Sequence, residues 1–256
     1  MRLTRYLYPA HRVCMALERD LVYTRDKHKA MYWAFELLHS GLLCDLLDTL
    51  WMIYRSKFQE VHPSFQQYMK KTLTPIHDAA ENGIWLFHDD PKKQTVMKYA
   101  VRGVIRNLLI RKPIIEGKEK PPLGKKVFVT TKDIDEEVNK YDTRGRLDTP
   151  ISFPDKSYAC HQAYKILRTV ADLQPLGEYG ATEKELNIIR QDWERFAFST
   201  PLWNHRFNEF HAVNTNNLVE FPDDDALEEF YEEHGLEPDE YGLLRNTHGR
   251  PQAKIN

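Results

Sequence analysis

A chain of 256 residues, 41% hydrophobic and with a formal net charge of -2, can bury one large or two modest cores. It is too close to neutral for a dedicated nucleic-acid wrapper, which needs a clear basic excess to neutralise phosphates. Its three cysteines, Cys14, Cys44 and Cys160, are odd in number and far apart, and no run reaches the roughly 18 apolar residues of a membrane span, so neither a disulfide framework nor a transmembrane segment is expected.

The N-terminus, MRLTRYLYPAHR, lacks an apolar leader core, which makes a soluble intracellular protein the expectation. Ala10 to Tyr23 can be helical, with Val13, Ala16, Leu17 and Leu21 near one face. The densest apolar stretch follows, Met31 to Tyr68. His28 to His39 reads as a helix with Met31, Ala34, Phe35 and Leu38 on its apolar face, closed by Ser40-Gly41 because glycine takes a left-handed cap at little cost. Leu42 to Val61 is a second amphipathic helix, stopped by His62-Pro63. The short connection predicts an antiparallel or sharply bent pair.

Pro63 to Tyr68 can add a helical turn, and a short helix is expected from Thr74, with Pro75 at its first position, to about Phe87. Thr95 to Ile110 follows, with Val96, Ala100, Val104 and Leu108 in register. Residues 111–154 hold five prolines and three glycines and read as an extended basic arm in which only Val127 to Thr131 resembles a strand. Beyond it, Asp155 to Leu173 resumes helical periodicity, Thr182-x-x-Glu185 matches a capping box, Leu202 to Phe210 is aromatic and helical, and Asp224 to His234 is an acidic helix. The tail from Asn246 is polar. The expected fold is mainly α, with an N-terminal helical domain over 1–110, the arm over 111–154 and a C-terminal helical domain over 155–256.

Charge is segregated along the chain. Eight basic residues against two acids lie between Arg102 and Lys126, whereas Glu220 to Glu240 holds eleven acids and no Lys or Arg. Lys118, Lys120, Lys125 and Lys126 on the arm, and Trp193, Trp203 and Arg206 in the aromatic C-terminal stretch, are the expected partner-binding residues, because aromatic and arginine side chains anchor protein interfaces, although such an aromatic cluster is more often core than ligand pocket.

Reaction centres are harder to find. His77-Asp78 and His88-Asp89, with His39 and Asp148 or Asp172, supply the residue types of an HD-type metal phosphohydrolase, in which a divalent ion activates water. Two-letter motifs are cheap in a chain with 11 His and 38 acids, and His88-Asp89-Asp90-Pro91 reads equally as a helix end and turn. His11, Cys14, Cys160 and His161 offer zinc ligand types without the paired knuckles of a zinc site. Asp45 and Asp48 read as the solvated edge of an apolar helix, and Cys44 as a small buried hydrophobe. No Gly-rich phosphate loop, G-x-S-x-G or H-E-x-x-H is present, so no enzymatic activity and no cofactor are expected. A nucleic-acid adaptor using the basic arm is a further alternative, although the arm has Phe128 alone as a stacking side chain.

Trp33 to Phe65 resembles a pattern in proteins of large nucleocytoplasmic DNA viruses, including those of algae: a W-A-x-E-L-x-x-S-G helix end, a D-L-L/F-x-x-L-W-x-I-Y helix and an N/H-P-x-F turn. The matching positions are Trp33, Ala34, Glu36, Leu37, Ser40, Gly41, Leu46, Leu50, Trp51, Ile53, Tyr54, Pro63 and Phe65. The resemblance implies a minor capsid protein on the inner capsid surface, cytoplasmic during assembly, whose partners are major and minor capsid proteins and further copies of itself. It carries no catalytic role.

Overall fold

The computed structural model describes residues 1–5, 8–81, 91–117, 193–233, 243–245 and 251–253. It is mainly helical, as the periodicity predicts: α1 (Ala10–Val22), α2 (Lys27–His39), α3 (Leu43–Lys57), α4 (Phe65–Glu81), α5 (Pro91–Ile110), α6 (Pro201–Glu209) and α7 (Asp224–Glu233). Four short strands pair as two antiparallel hairpins, β1 (Val213–Thr215) with β2 (Leu218–Glu220) and β3 (Leu243–Arg245) with β4 (Pro251–Ala253). The expected strand at Val127 to Thr131, the helix at Asp155 to Leu173 and the capping box at Thr182 lie outside the described residues.

The chain divides into two units. One contains described residues 14–117, and the other contains residues 1–13 with those from Trp193 onward.

In the first unit α2 packs on α3 and α5, α3 on α4, and α4 on α5, so four helices close a ring. α2 is its axis. Every residue from Ala30 to His39 is buried, Glu36 and His39 included, so the helix is enclosed all round and not along the single apolar face its sequence suggests. Asp26 caps its start by accepting from the His28 and Lys29 backbone N–H groups. Its end is a Schellman closure: Gly41, at φ 76°, donates to Leu38 and Leu42 donates to Leu37 at 3.0 Å. The chain then turns directly into α3, whose Leu43, Leu46, Leu47, Leu50, Ile53 and Tyr54 are buried.

α4 departs from expectation. It is one helix from Phe65 to Glu81 with Pro75 inside it, and not a turn followed by a helix beginning at Thr74. Phe65, Met69, Leu73 and Ile76 form one buried stripe that continues past the proline, while Thr74 and Pro75 face outward. An interior proline costs about 3 kcal/mol. Burying Leu73 and Ile76 on either side returns about 1.5–3 kcal/mol each, so the stripe prevails. In α5, Pro91 is the first helical residue and not a stop. The apolar residues of α5's buried face are Met97, Val101, Val104, Ile105 and Leu108, with Lys98, Arg102 and Asn107 buried beside them, whereas Val96 is exposed.

The second unit is built on aromatic packing. Trp193, Trp203, Phe207 and Phe230 are buried, with Trp193 edge-on to Trp203 at 5.5 Å and Phe207 stacked on Phe230 at 4.8 Å. Phe198, Phe210 and Phe221 pack around them, half-buried. Residues 193–198 are helical, and Pro201 restarts the chain as α6. Asn216 and Asn217, at φ 54° and 64°, form the two-residue loop joining β1 to β2, the left-handed pair that matches strand twist.

The first residues belong to this aromatic core. Leu3, Thr4 and Tyr8 are buried, and Leu3 bridges to Pro9. Thr200 stands at the N-cap of α6, yet its hydroxyl donates to the Leu3 carbonyl, and the Trp203 indole donates to Thr4 O at 2.9 Å. Residues 1–13 therefore pack with the C-terminal stretch, although the sequence groups them with the helices that follow.

Candidate functional site

The described groups with clearly displaced titration gather at one end of the helical ring: Arg25, Tyr54, His62, Tyr68 and Arg111. Perturbed groups concentrate at functional sites and in structural networks alike, so their partners decide what they can do.

Arg25 sits in the α1–α2 turn at φ 58°, a left-handed conformation rare for arginine. Its guanidinium donates to the carbonyls of Leu21 and Leu109, to Leu108 O at 3.0 Å and to Arg111 O at 2.6 Å. The last carbonyls of α5 have no intrahelical donors, and a cation there also meets the negative end of the helix dipole. Burial pushes the Arg25 pKa down.

Arg111, one residue beyond α5, lies over the Phe65 ring at 4.2 Å and donates to Asn107 O and Oδ1 at 2.7 and 2.8 Å. Asn107 in turn donates from Nδ2 to Gly103 O at 2.8 Å. Burial lowers the Arg111 pKa, opposed by Tyr68 and Tyr54.

Tyr54, at the end of α3, has its hydroxyl 3.2 Å from both the His62 and Pro63 carbonyls, pinning the turn into α4. Burial raises its pKa against the backbone of Gln66 and the charge of Arg111. Tyr68 stacks on Phe65 at 5.3 Å, and burial raises its pKa against Thr72, Arg111 and Asn107. The His62 ring places Nε2 3.2 Å from Lys112 O; a carbonyl only accepts, so Nε2 carries the proton. Burial lowers the His62 pKa, with Arg111 acting in the same direction and the Lys112 carbonyl against it. Ile114 N donates to Lys57 O at 2.7 Å, so residues 111–114 are strapped across the end of α3.

Arg25, Arg111, Tyr54 and His62 each hold a helix end or a turn, while Tyr68 packs on Phe65. The arrangement fixes the direction in which the chain leaves α5, and it presents no nucleophile beside a base.

Other side chains face outward. On α3 the half-buried Trp51 has the Arg55 guanidinium over its ring at 5.5 Å, beside Met52, which is 50% exposed. In the aromatic unit a cavity of about 490 Å³ is lined by Glu194, Glu220, Asp223 and Asp224 above Val219, Phe221 and Leu227.

The residues offered from sequence are distributed differently. Trp193 and Trp203 are 2% and 0% exposed, so they form the core of the aromatic unit and are not surface anchors. Arg206 is half-buried with its guanidinium over the Trp203 ring at 4.7 Å. Lys118, Lys120, Lys125 and Lys126 lie outside the described residues, as do His88, Asp89, Asp148, Asp172, Cys160 and His161. Asp78 is exposed on α4, His77 half-buried, and His39 buried beside Phe35 at 5.5 Å. Among the described residues no three His, Cys, Asp or Glu side chains are grouped to hold a metal ion, and no helix is long and apolar enough to cross a membrane. Asp48 is exposed and Asp45 half-buried. Cys14 and Cys44 are both half-buried, so Cys44 is less enclosed than the buried hydrophobe expected from sequence.

No protein-family model matches the chain, and no curated protein or solved structure matches it.

Proposed function

We propose that this protein is a structural, partner-binding component of a large DNA virus particle, a minor capsid protein that acts through protein contacts beneath the major capsid lattice. The observation that carries the reading is where the Trp33–Phe65 pattern falls in the fold. All its matching positions are buried except Trp51, half-buried, and Pro63, exposed. They build the α2 cap, the α2–α3 seam and the Tyr54–Phe65 contact, edge-on at 5.8 Å. The pattern's positions are therefore packing positions, which supports a shared architecture and by itself assigns no activity.

Three features support a partner-binding role. Trp51 is the pattern's aromatic position that the core does not fully absorb, and with Arg55 and Met52 it offers the side chains that dominate interface energetics. The basic run through Lys118, Lys120, Lys125 and Lys126 and the acidic run from Glu220 give the sequence two segments of opposite charge. Among the described side chains of α7, the exposed ones, Asp224, Asp225, Glu228 and Glu229, are acidic.

Co-sedimentation of the purified full-length chain with assembled major capsid protein tests the proposal. Stoichiometric binding, reduced when Trp51→Ala or the four arm lysines→Gln are introduced, is the expected result. Failure to bind at low and moderate salt alike contradicts it. A bound divalent ion and phosphatase activity, lost in Asp78→Ala with Asp89→Ala, would favour the metal-phosphohydrolase alternative instead.

A further inference from the structure

We draw no further inference here: the strongest candidate, the acid-lined cavity between β2 and the start of α7 with Glu194, Glu220, Asp223 and Asp224 on its wall, is a cluster of carboxylates at which no second feature points to a ligand.

Discussion

Trp203 and Thr4 are 199 residues apart in sequence and joined by an indole-to-carbonyl hydrogen bond of 2.9 Å inside the aromatic core. Thr200 repeats the arrangement one helical turn earlier, on Leu3. Both carbonyls belong to a buried, irregular segment, where an acceptor left without a donor loses its desolvation compensation. The N-terminus is thus a structural part of the C-terminal unit.

Trp203→Phe keeps most of the ring and removes the donor to Thr4. A loss of about 1–3 kcal/mol is expected from the stranded acceptor. Urea denaturation with hydrogen exchange should show it as lost protection in α6. Protection of α3, in the other unit, should be unchanged.

Arg25→Ala strips the donors from the last carbonyls of α5. Hydrogen bonds made by a charged donor contribute about 1.5–3 kcal/mol, so thermal unfolding of the helical ring should shift down by that order. Arg25→Lys is expected to recover little, because an ammonium cannot span several carbonyls as the planar fork does. Full recovery by lysine in the melting curve would show that charge alone matters there.

Gly41→Ala places a side chain at φ 76°, a conformation that costs an L-residue roughly 1–2 kcal/mol. Because Gly41 makes the α2–α3 closure, the loss should appear in the equilibrium unfolding of the whole ring. Ser40→Ala removes the hydroxyl bond to Glu36 O, at 2.6 Å, and should cost less, about 1 kcal/mol.

His62 gives the ring a pH dependence of fixed sign. Its folded pKa lies below the ordinary 6.5, so the unfolded chain binds more protons as the pH falls. The contribution is fully present above pH 6.5 and is lost progressively as the pH drops toward the folded value. His62→Gln should flatten the slope of stability against pH in that interval, read from urea midpoints at a series of pH values. An unchanged slope would assign the dependence to other groups.

Much of the helical ring was legible because its signals are local. The apolar steps of α3 and the Ser40-Gly41 cap each depend on residues within a turn or two. Pro75 misled because a proline is read from its own backbone, whereas α4 is held by a stripe from Phe65 to Ile76 that outweighs it. Asn216-Asn217 did carry a hairpin signal, and its strands are short enough to disappear beside the aromatic helices. The end of the ring was not legible at all. Arg25 meets α5 carbonyls more than eighty residues away, and nothing in the periodicity of either segment announces it. Trp193 and Trp203 show the converse error, since aromatic residues that suit an interface suit a core equally well.

The proposed incorporation of this chain into a large DNA virus particle through protein contacts is read out most directly by quantitative mass spectrometry of purified, fractionated virions. The chain is expected in the capsid-shell fraction, at a fixed ratio to the major capsid protein that survives mild salt washing. Its absence from purified particles, with abundance only in the infected-cell lysate, would contradict the account.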